Sequence, residues 1–431
     1  MLLKENKMAI NNPEVAKVFD DLERFKAFCA TAYLYGHDGY VFDERNLYNG
    51  KSRAWQAYSR FRNGGKRKQH NNNAPRSNND RYNNNNYTKQ WKEYLPKQLR
   101  HATNEDVKVI SGGETPQATT PGAFLNFGGT NVYKSKQLEQ IGEMFCNGEV
   151  KDSDYFLYTD AWNPTVIQLR YMAELLGVNI NIGGLWHAGS YDPQDFLGRL
   201  IGNKPWVRNA ERSMFDCYDH NFFATQFHID LFLQTFKNKD EPNLDNRQVN
   251  EDKIKRVGWP MEYLESSLTQ YKGMPKEDII LFPHRVAPEK QVEIFRDLAT
   301  MLPNYEFIVC QEQELTKNEY HNLLGRAKVV FSANLQETLG ISWYEGLLVD
   351  TIPMVPDRLS YSEMATTEFL YPSIWTKNTK QYNKFKDSLV DKITDYVENY
   401  SNYKRPMMAQ THKLQTNFFS GKNLYERIAN G

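Results

Sequence analysis

Two series of short β-rich runs alternating with helical stretches constrain this chain more than any other feature. The first holds VKVIS, DYFLYTD, the helical TVIQLRYMAELLG, VNINIGGLWH and NFFATQFH. The second begins after KIKRVGWP. It runs through DIILFPHR, the helix EKQVEIFRDLATML, YEFIVCQ, the helix NEYHNLLGRA, VVFSAN, a helix near SWYEGLLV, and TIPMVPD. Two further helices, SLVDKITDYVENY and MMAQTHKLQTNFF, close the chain. Strands alternating with helices of about 10 to 15 residues predict parallel sheets joined by crossover helices. The expected fold class is therefore α/β, with two Rossmann-like domains in tandem, because 431 residues are too many for one ordinary core. Such sheets bind ligands in the crevice beyond the carboxyl ends of their strands, so residues at predicted strand ends carry most weight.

Charge is distributed unevenly. Lys plus Arg and Asp plus Glu both number 53, for a formal net charge of zero. Residues 51–100 nevertheless hold thirteen basic residues against Asp80 and Glu93, a local net of +11. Asymmetry of this kind points to one segment that meets a polyanion, attached to a body that does not. Within it, NNNAPRSNNDRYNNNN (71–86) contains nine asparagines and too little apolar surface to offset chain entropy. The expected organisation is a small aromatic-rich module over 1–70, a flexible basic Asn-rich linker over 71–100, and Rossmann-like domains over 101–255 and 256–404. In the small module, PEVAKVFDDLERFKAFCATAYLY and SRAWQAYSRFR suit helices. The four cysteines, Cys29, Cys146, Cys217 and Cys310, form no CxxC pair, which excludes a zinc ribbon and argues against a disulfide-stapled secreted protein. The chain also has no run of about 18 apolar residues and no signal core at MLLKENKMAINNPE. A soluble, cytoplasmic protein with no membrane partner and no obligate protein partner is expected.

The sharpest chemical signal is Glu337-Thr-Leu-Gly-Ile-Ser-Trp-Tyr-Glu345, which starts just beyond VVFSAN and enters a helix. A helix start presents free N–H groups and a positive dipole end to a phosphate. Eight residues are close to two full turns, so both acids are expected on nearly one face, where carboxylates accept hydrogen bonds from sugar hydroxyls. Spacing alone leaves open a capping glutamate and a surface glutamate. The second signal is Arg285 and Lys290 in FPHRVAPEKQ, two cations at a strand end that can neutralise a diphosphate. Taken alone they read better as a solvated cap in which Lys290 pairs with a neighbouring acid, and the Glu pair reverses that reading. In the first series the strand-end candidates are Gly112-Gly113, Asp160 with Trp162, and Trp186 with His187. Glycine admits a ligand close to the backbone, and tryptophan offers a flat surface for a sugar or base. His187 alone fits a satisfied core histidine as well as a ligand contact. No set of His, Cys and carboxylates has metal spacing, and His220, His228 and His284 are taken as structural.

These residues carry a resemblance. The run from Asp278 to Met364 resembles the donor-binding half of the GT-B glycosyltransferase family that includes glycogen and sucrose synthases and many retaining hexosyltransferases. The resemblance implies that 256–404 binds a nucleoside diphosphate sugar and that 101–255 is the acceptor-side domain, with the C-terminal helix at 405–431 packing back on it. It also implies that Arg285 and Lys290 grip the diphosphate, Glu337 meets the transferred sugar and Glu345 the ribose. Thr338, Leu339 and Gly340 would form the phosphate-side turn, and His187 would touch the sugar. Asp350, after Gly346-Leu-Leu-Val, departs from the small residues usual at that place. Retention, no required metal or other cofactor, and a uridine-linked donor are the family expectations. If the reaction inverts, Asp160 or His187 becomes the general base.

The basic segment bears on the acceptor. Lys51, Arg53, Arg60, Arg62, Lys66, Arg67 and Lys68 are interleaved with Trp55, Tyr58 and Phe61, a mixture of phosphate contacts and stacking surfaces that suits nucleic acid. A solvated linker is the alternative. The whole assembly, from GGTNVYKSKQLEQIGEMF to WHAGSYDP, looks like glycosyltransferases of tailed phages. Some of these phages decorate hydroxymethylcytosine in their DNA with glucose or arabinose. That resemblance implies double-stranded DNA as partner, in an infected bacterial host. A polysaccharide, lipid or protein acceptor and a non-catalytic donor-binding protein are the competing readings.

Overall fold

The computed structural model describes residues 87–114, 126–202, 204–237 and 249–430. The module expected over 1–70 and the asparagine run 71–86 lie outside the described residues.

Strands β1 (Tyr155–Tyr158), β2 (Asn181–Leu185), β3 (His220–Phe223) and β4 (Ile254–Arg256) form the first sheet in the order β1-β2-β3-β4. Every pair is parallel, with Tyr155 opposite Asn181, Gly183 opposite His220 and Asn221 opposite Ile254. Before β1 comes α1 (Tyr87–Thr103), then α2 (Phe127–Cys146). The crossovers are α3 (Thr165–Leu176), then α4 (Phe196–Ile201) with α5 (Pro205–Cys217), then α6 (Gln226–Lys237). Side chains alternate across a strand. Phe223 packs into one core with Val166 and Leu169 of α3 and Phe232 of α6, while its neighbour Phe222 belongs to a larger core with Trp91, Leu95 and Leu99 of α1. The chain leaves this sheet only after Arg256, so β4 straddles the boundary expected at 255/256.

The second sheet runs β6-β5-β7-β8-β9, all parallel. Its strands are β5 (Glu277–Phe282), β6 (Glu306–Val309), β7 (Ala327–Phe331), β8 (Ile352–Pro356) and β9 (Leu370–Tyr371). Ile280, Leu281, Val329 and Val330 are fully buried, as central strands covered on both faces must be. The helices here are α7 (Tyr263–Leu268), α8 (Val292–Met301), α9 (Lys317–Arg326), α10 (Ile341–Leu348), α11 (Tyr361–Met364) and α12 (Thr379–Glu398). Winding runs from β5 outward to β6, then returns past β5 to β7. The switch point therefore lies at the carboxyl ends of β5 and β7, where doubly wound sheets open a ligand crevice. Both sheets confirm the α/β reading with two Rossmann-like domains.

Two expectations need correction. Residues 87–100, assigned to a flexible linker, form most of α1, whose Trp91, Leu95 and Leu99 are buried. These three recur every fourth residue, which places them on one helical face. The high charge of the surrounding segment masks that stripe in any composition count. Residues 107–111 (VKVIS), read as a strand, join no ladder. Their carbonyls accept from side chains of the flanking helices instead: Gln137 Nε2 donates to Ile110 O at 2.8 Å and Gln140 Nε2 to Ser111 O at 2.7 Å.

The chain ends in α13 (Lys404–Asn417) and α14 (Lys422–Ala429). Of the segment expected to return to the first domain, α13 packs on α10 of the second and α14 packs on α1. Glu363 of α11 joins the domains directly. Its two carboxylate oxygens accept from Gln226 N and Phe227 N, each at 2.9 Å, at the free N-terminus of α6, and Arg256 Nη1 donates to the same carboxylate at 3.0 Å.

Candidate functional site

The loops after β5 and β7 bring the predicted cations and Glu337 together. Lys290 is buried, and its Nζ donates to Gln336 O at 2.6 Å and to Glu337 Oε2 at 3.4 Å. Asn334 Nδ2 donates to the same Glu337 oxygen at 3.2 Å. Burial alone would raise the Glu337 carboxyl, but the Lys290 ammonium leads a set of partners that hold it below the usual carboxylate range. His284 is buried beside this pair, where burial, reinforced by Lys290, pushes its imidazole down to about 3 and keeps it neutral. The loop that carries Asn334 is fixed by Arg358, which donates to Ala333 O, Asn334 O and Ser373 O.

Arg285 meets Glu289. Its Nη2 lies 2.5 Å and its Nε 3.2 Å from Glu289 Oε1, while Arg199 of α4 reaches Glu289 Oε2 at 2.8 Å from the first domain. Burial opposes charge on Glu289, yet its backbone contacts and the two guanidiniums keep it ionised, below its ordinary pKa.

Between Glu337 and the helix, Gly340 adopts φ 80°, and a Cβ there would lie 2.8 Å from the Trp343 ring. Only glycine takes this left-handed turn without strain, and α10 begins directly after it, at Ile341. The turn also separates the two glutamates. Glu337 precedes the helix, whereas Glu345 lies inside it, 1% exposed. Glu345 accepts from Tyr320 Oη at 3.2 Å, and His321 Nε2 lies 3.8 Å away. The shared helical face expected from the eight-residue spacing does not form, because the helix begins only at Ile341. Leu339 is buried, and its carbonyl accepts from Trp343 Nε1.

Thr338 crosses to the first domain. Its Oγ1 donates to His187 O at 2.9 Å, and its own carbonyl accepts from Thr225 Oγ1 at 3.2 Å. His187 Nε2 meets the Thr159 carbonyl, which only accepts, so Nε2 carries the proton. Burial lowers the His187 pKa. Asp160 lies beside it and accepts from Trp162 N at 3.1 Å, while Trp162 Nε1 donates to the buried Glu211 at 2.8 Å.

Three first-domain candidates take other roles. Trp186 is fully buried, stacked on Phe223 with Nε1 donating to Asn221 Oδ1 at 2.8 Å, so it is a core residue. Gly112 packs on the backbone of Tyr133, where a Cβ would lie 2.0 Å from its carbonyl oxygen, so the close approach serves α2. Gly113 follows it in an exposed left-handed turn. With no strand at 107–111, neither glycine marks a strand end. The basic residues Lys51, Arg53, Arg60, Arg62, Lys66, Arg67 and Lys68 lie outside the described residues.

Sequence reasoning missed several groups in this crevice. Asp192 and Asp195 face Lys290 and Arg285 from the first domain. Burial raises both carboxyls, Asp195 to about 6, and Gln336 hydrogen-bonds Asp192. In the run YDPQDF, Asp195 also caps α4 through Leu197 N. Lys134 of α2 donates to Trp162 O at 2.6 Å near Asp160. Arg199 and Glu289 gave no local signal, because their partnership joins residues 90 apart in sequence.

No protein-family model and no curated protein matches the sequence. Among solved structures, the chain is similar to the UDP-forming α,α-trehalose-phosphate synthase of Burkholderia xenovorans, with a TM-score of 0.48 and 12% identity over 72% of this chain and 80% of that one. It is also similar to the N-terminal domain of Candida albicans trehalose-6-phosphate phosphatase, with a TM-score of 0.47 and 12% identity over 77% and 80% of the two chains. A third is HepE of Anabaena in complex with UDP, with a TM-score of 0.45 and 12% identity over 70% and 82%. Likeness of this degree concerns the course of the chain and not its chemistry.

Proposed function

We propose that this protein is a glycosyltransferase that binds a nucleoside diphosphate sugar on the loops after β5 and β7 and moves the sugar to an acceptor hydroxyl held by the first domain. The observation that carries this reading is the convergence of Arg285, Lys290 and Glu337 at the switch point of the second sheet, beside the N-terminus of α10. Cations fixed at such a place stabilise the charge that grows on a leaving diphosphate. Glu337, kept ionised by Lys290, accepts from sugar hydroxyls. Closure of the first domain, whose His187 carbonyl already bonds Thr338, excludes water that would hydrolyse the donor. Asp160 and His187 then lie on the acceptor side. We take the donor to be uridine-linked, the reaction to be retaining and the metal requirement to be nil, as the GT-B resemblance implies.

A polyanionic acceptor is supported by the +11 net charge of residues 51–100. Three of those basic residues, Lys92, Lys97 and Arg100, are exposed on α1. Duplex DNA carrying hydroxymethylcytosine is the acceptor of this class that the phage resemblance implies, and transfer would need access to the major groove or a flipped base. The test is transfer from UDP-glucose, UDP-arabinose and other nucleotide sugars onto that DNA, with plain DNA as control, read by nucleoside mass spectrometry. A mass gain only on modified DNA supports both donor and acceptor. Donor hydrolysis without gain keeps the transferase and discards the DNA acceptor. Donor binding with neither hydrolysis nor transfer to any acceptor hydroxyl supports a non-catalytic binding protein instead.

A further inference from the structure

We propose that Arg199 is a third cation of the diphosphate site, supplied by the first domain across the crevice. This rests on the reading of that crevice as a nucleoside diphosphate site. Arg199 belongs to α4, outside the sheet that carries Arg285 and Lys290. Its Nη1 donates to Gln194 O at 2.7 Å within its own domain and to Glu289 Oε2 at 2.8 Å in the other. Among the described residues both of its hydrogen bonds start from Nη1, and the side chain is 36% exposed. The rest of the planar donor fork therefore remains for a ligand.

Glu289 shows what that ligand looks like. Its buried carboxylate offers one oxygen to Arg285 and the other to Arg199, so two guanidiniums converge on one oxyanion, a group they bind as they bind phosphate. The neighbouring residue, Lys290, adds a third cation within the same turn. Glu289 and Glu337 pair with these three cations, and Asp192 and Asp195 stand near Lys290 and Arg285, so the site offers an anion fixed hydrogen-bond donors and not a net positive excess. A diphosphate entering between the domains meets Arg285 and Lys290 from one side and Arg199 from the other. Occupancy thereby becomes linked to domain closure, because the Arg199–Glu289 pair already spans the crevice.

The test is isothermal titration of the full chain with UDP and with uridine, for the wild type, Arg199→Ala, Arg199→Gln and Arg199→Lys, at low and high salt. The expected result is a loss of UDP affinity of about tenfold or more for Ala and Gln, about 1.4 kcal/mol, with uridine binding unchanged and partial recovery in Arg199→Lys. The loss should shrink at high salt, where charge is screened. Equal UDP affinity in wild type and both neutral variants overturns the proposal and leaves the donor site standing. Parallel loss of UDP and uridine also overturns it, since that pattern marks a purely structural residue. Wild-type protein that binds uridine no more weakly than UDP removes the diphosphate site itself. Circular dichroism melts of each variant report the folding cost of leaving the buried Glu289 Oε2 without Arg199 and so separate binding loss from unfolding.

Discussion

The Trp91 indole lies 5.4 Å, ring centre to ring centre, from the His187 imidazole, and Trp259 closes on the same imidazole at 4.5 Å. Trp91 is itself anchored by Nε1, which donates to Pro260 O at 3.1 Å, where the chain passes between domains. Thus α1, at the end of the basic segment, supports a crevice residue through one side chain. Trp91→Ala should cost about 3–5 kcal/mol by the cavity it leaves and lower kcat as His187 loosens. Trp91→Phe should restore most of the stability. Urea unfolding followed by circular dichroism, with transfer rates of both variants, checks this; equal kcat in all three proteins would remove the link to His187.

Glu337 and Lys290 should matter to turnover more than to folding. Glu337→Gln and Lys290→Ala are expected to lower kcat/KM by two or more orders of magnitude, about 3 kcal/mol of transition-state stabilisation. Near-normal rates in both variants would sink the site assignment. Glu345→Gln offers a contrast, because its carboxylate is buried against Tyr320 and His321; a loss of thermal stability should accompany any loss of rate.

Glu363 holds the N-terminus of α6 from the opposite domain. Glu363→Ala leaves two helix amides without this acceptor and should cost about 1–2 kcal/mol, the range for lost N-caps. Hydrogen exchange should quicken at Gln226 and Phe227, with little change in the second sheet. Unchanged protection at those two amides would show that the cap is not stabilising.

Two histidines make stability depend on pH. Burial holds His228 and His284 neutral, with pKa values pushed down to about 3, against about 6.5 in an unfolded chain. Between those values the unfolded state binds more protons, so stability rises with pH. Their contribution is full above about 6.5 and is lost as pH falls toward 3. Asp195 works in the other direction: its pKa is raised to about 6, and its contribution is lost as pH rises through about 4 to 6. His228→Gln should flatten the acid side of the urea midpoint against pH, and Asp195→Asn should steepen it.

Metal independence is open to a direct check. Transfer measured after dialysis against EDTA should keep its rate, and recovery only on adding a divalent cation would overturn that part of the proposed mechanism.

The alternation of β-rich runs with helical stretches determined the two Rossmann-like domains, because strand and helix periodicities are local and survive without knowledge of the partner. The position of Arg285, Lys290 and Glu337 just past predicted strands was legible for the same reason. Tertiary structure decided what depends on contacts between distant residues. Trp186 reads like Trp162 in sequence, and only burial against Phe223 separates the core residue from the crevice residue. An eight-residue spacing fits one helical face only if the helix has begun, and the left-handed turn at Gly340 delays that start until Ile341. The stripe of Trp91, Leu95 and Leu99 lay hidden in a strongly charged segment until a core was present to receive it. Arg199 and Glu289 form an ion pair only when the two domains face each other, which no local pattern records.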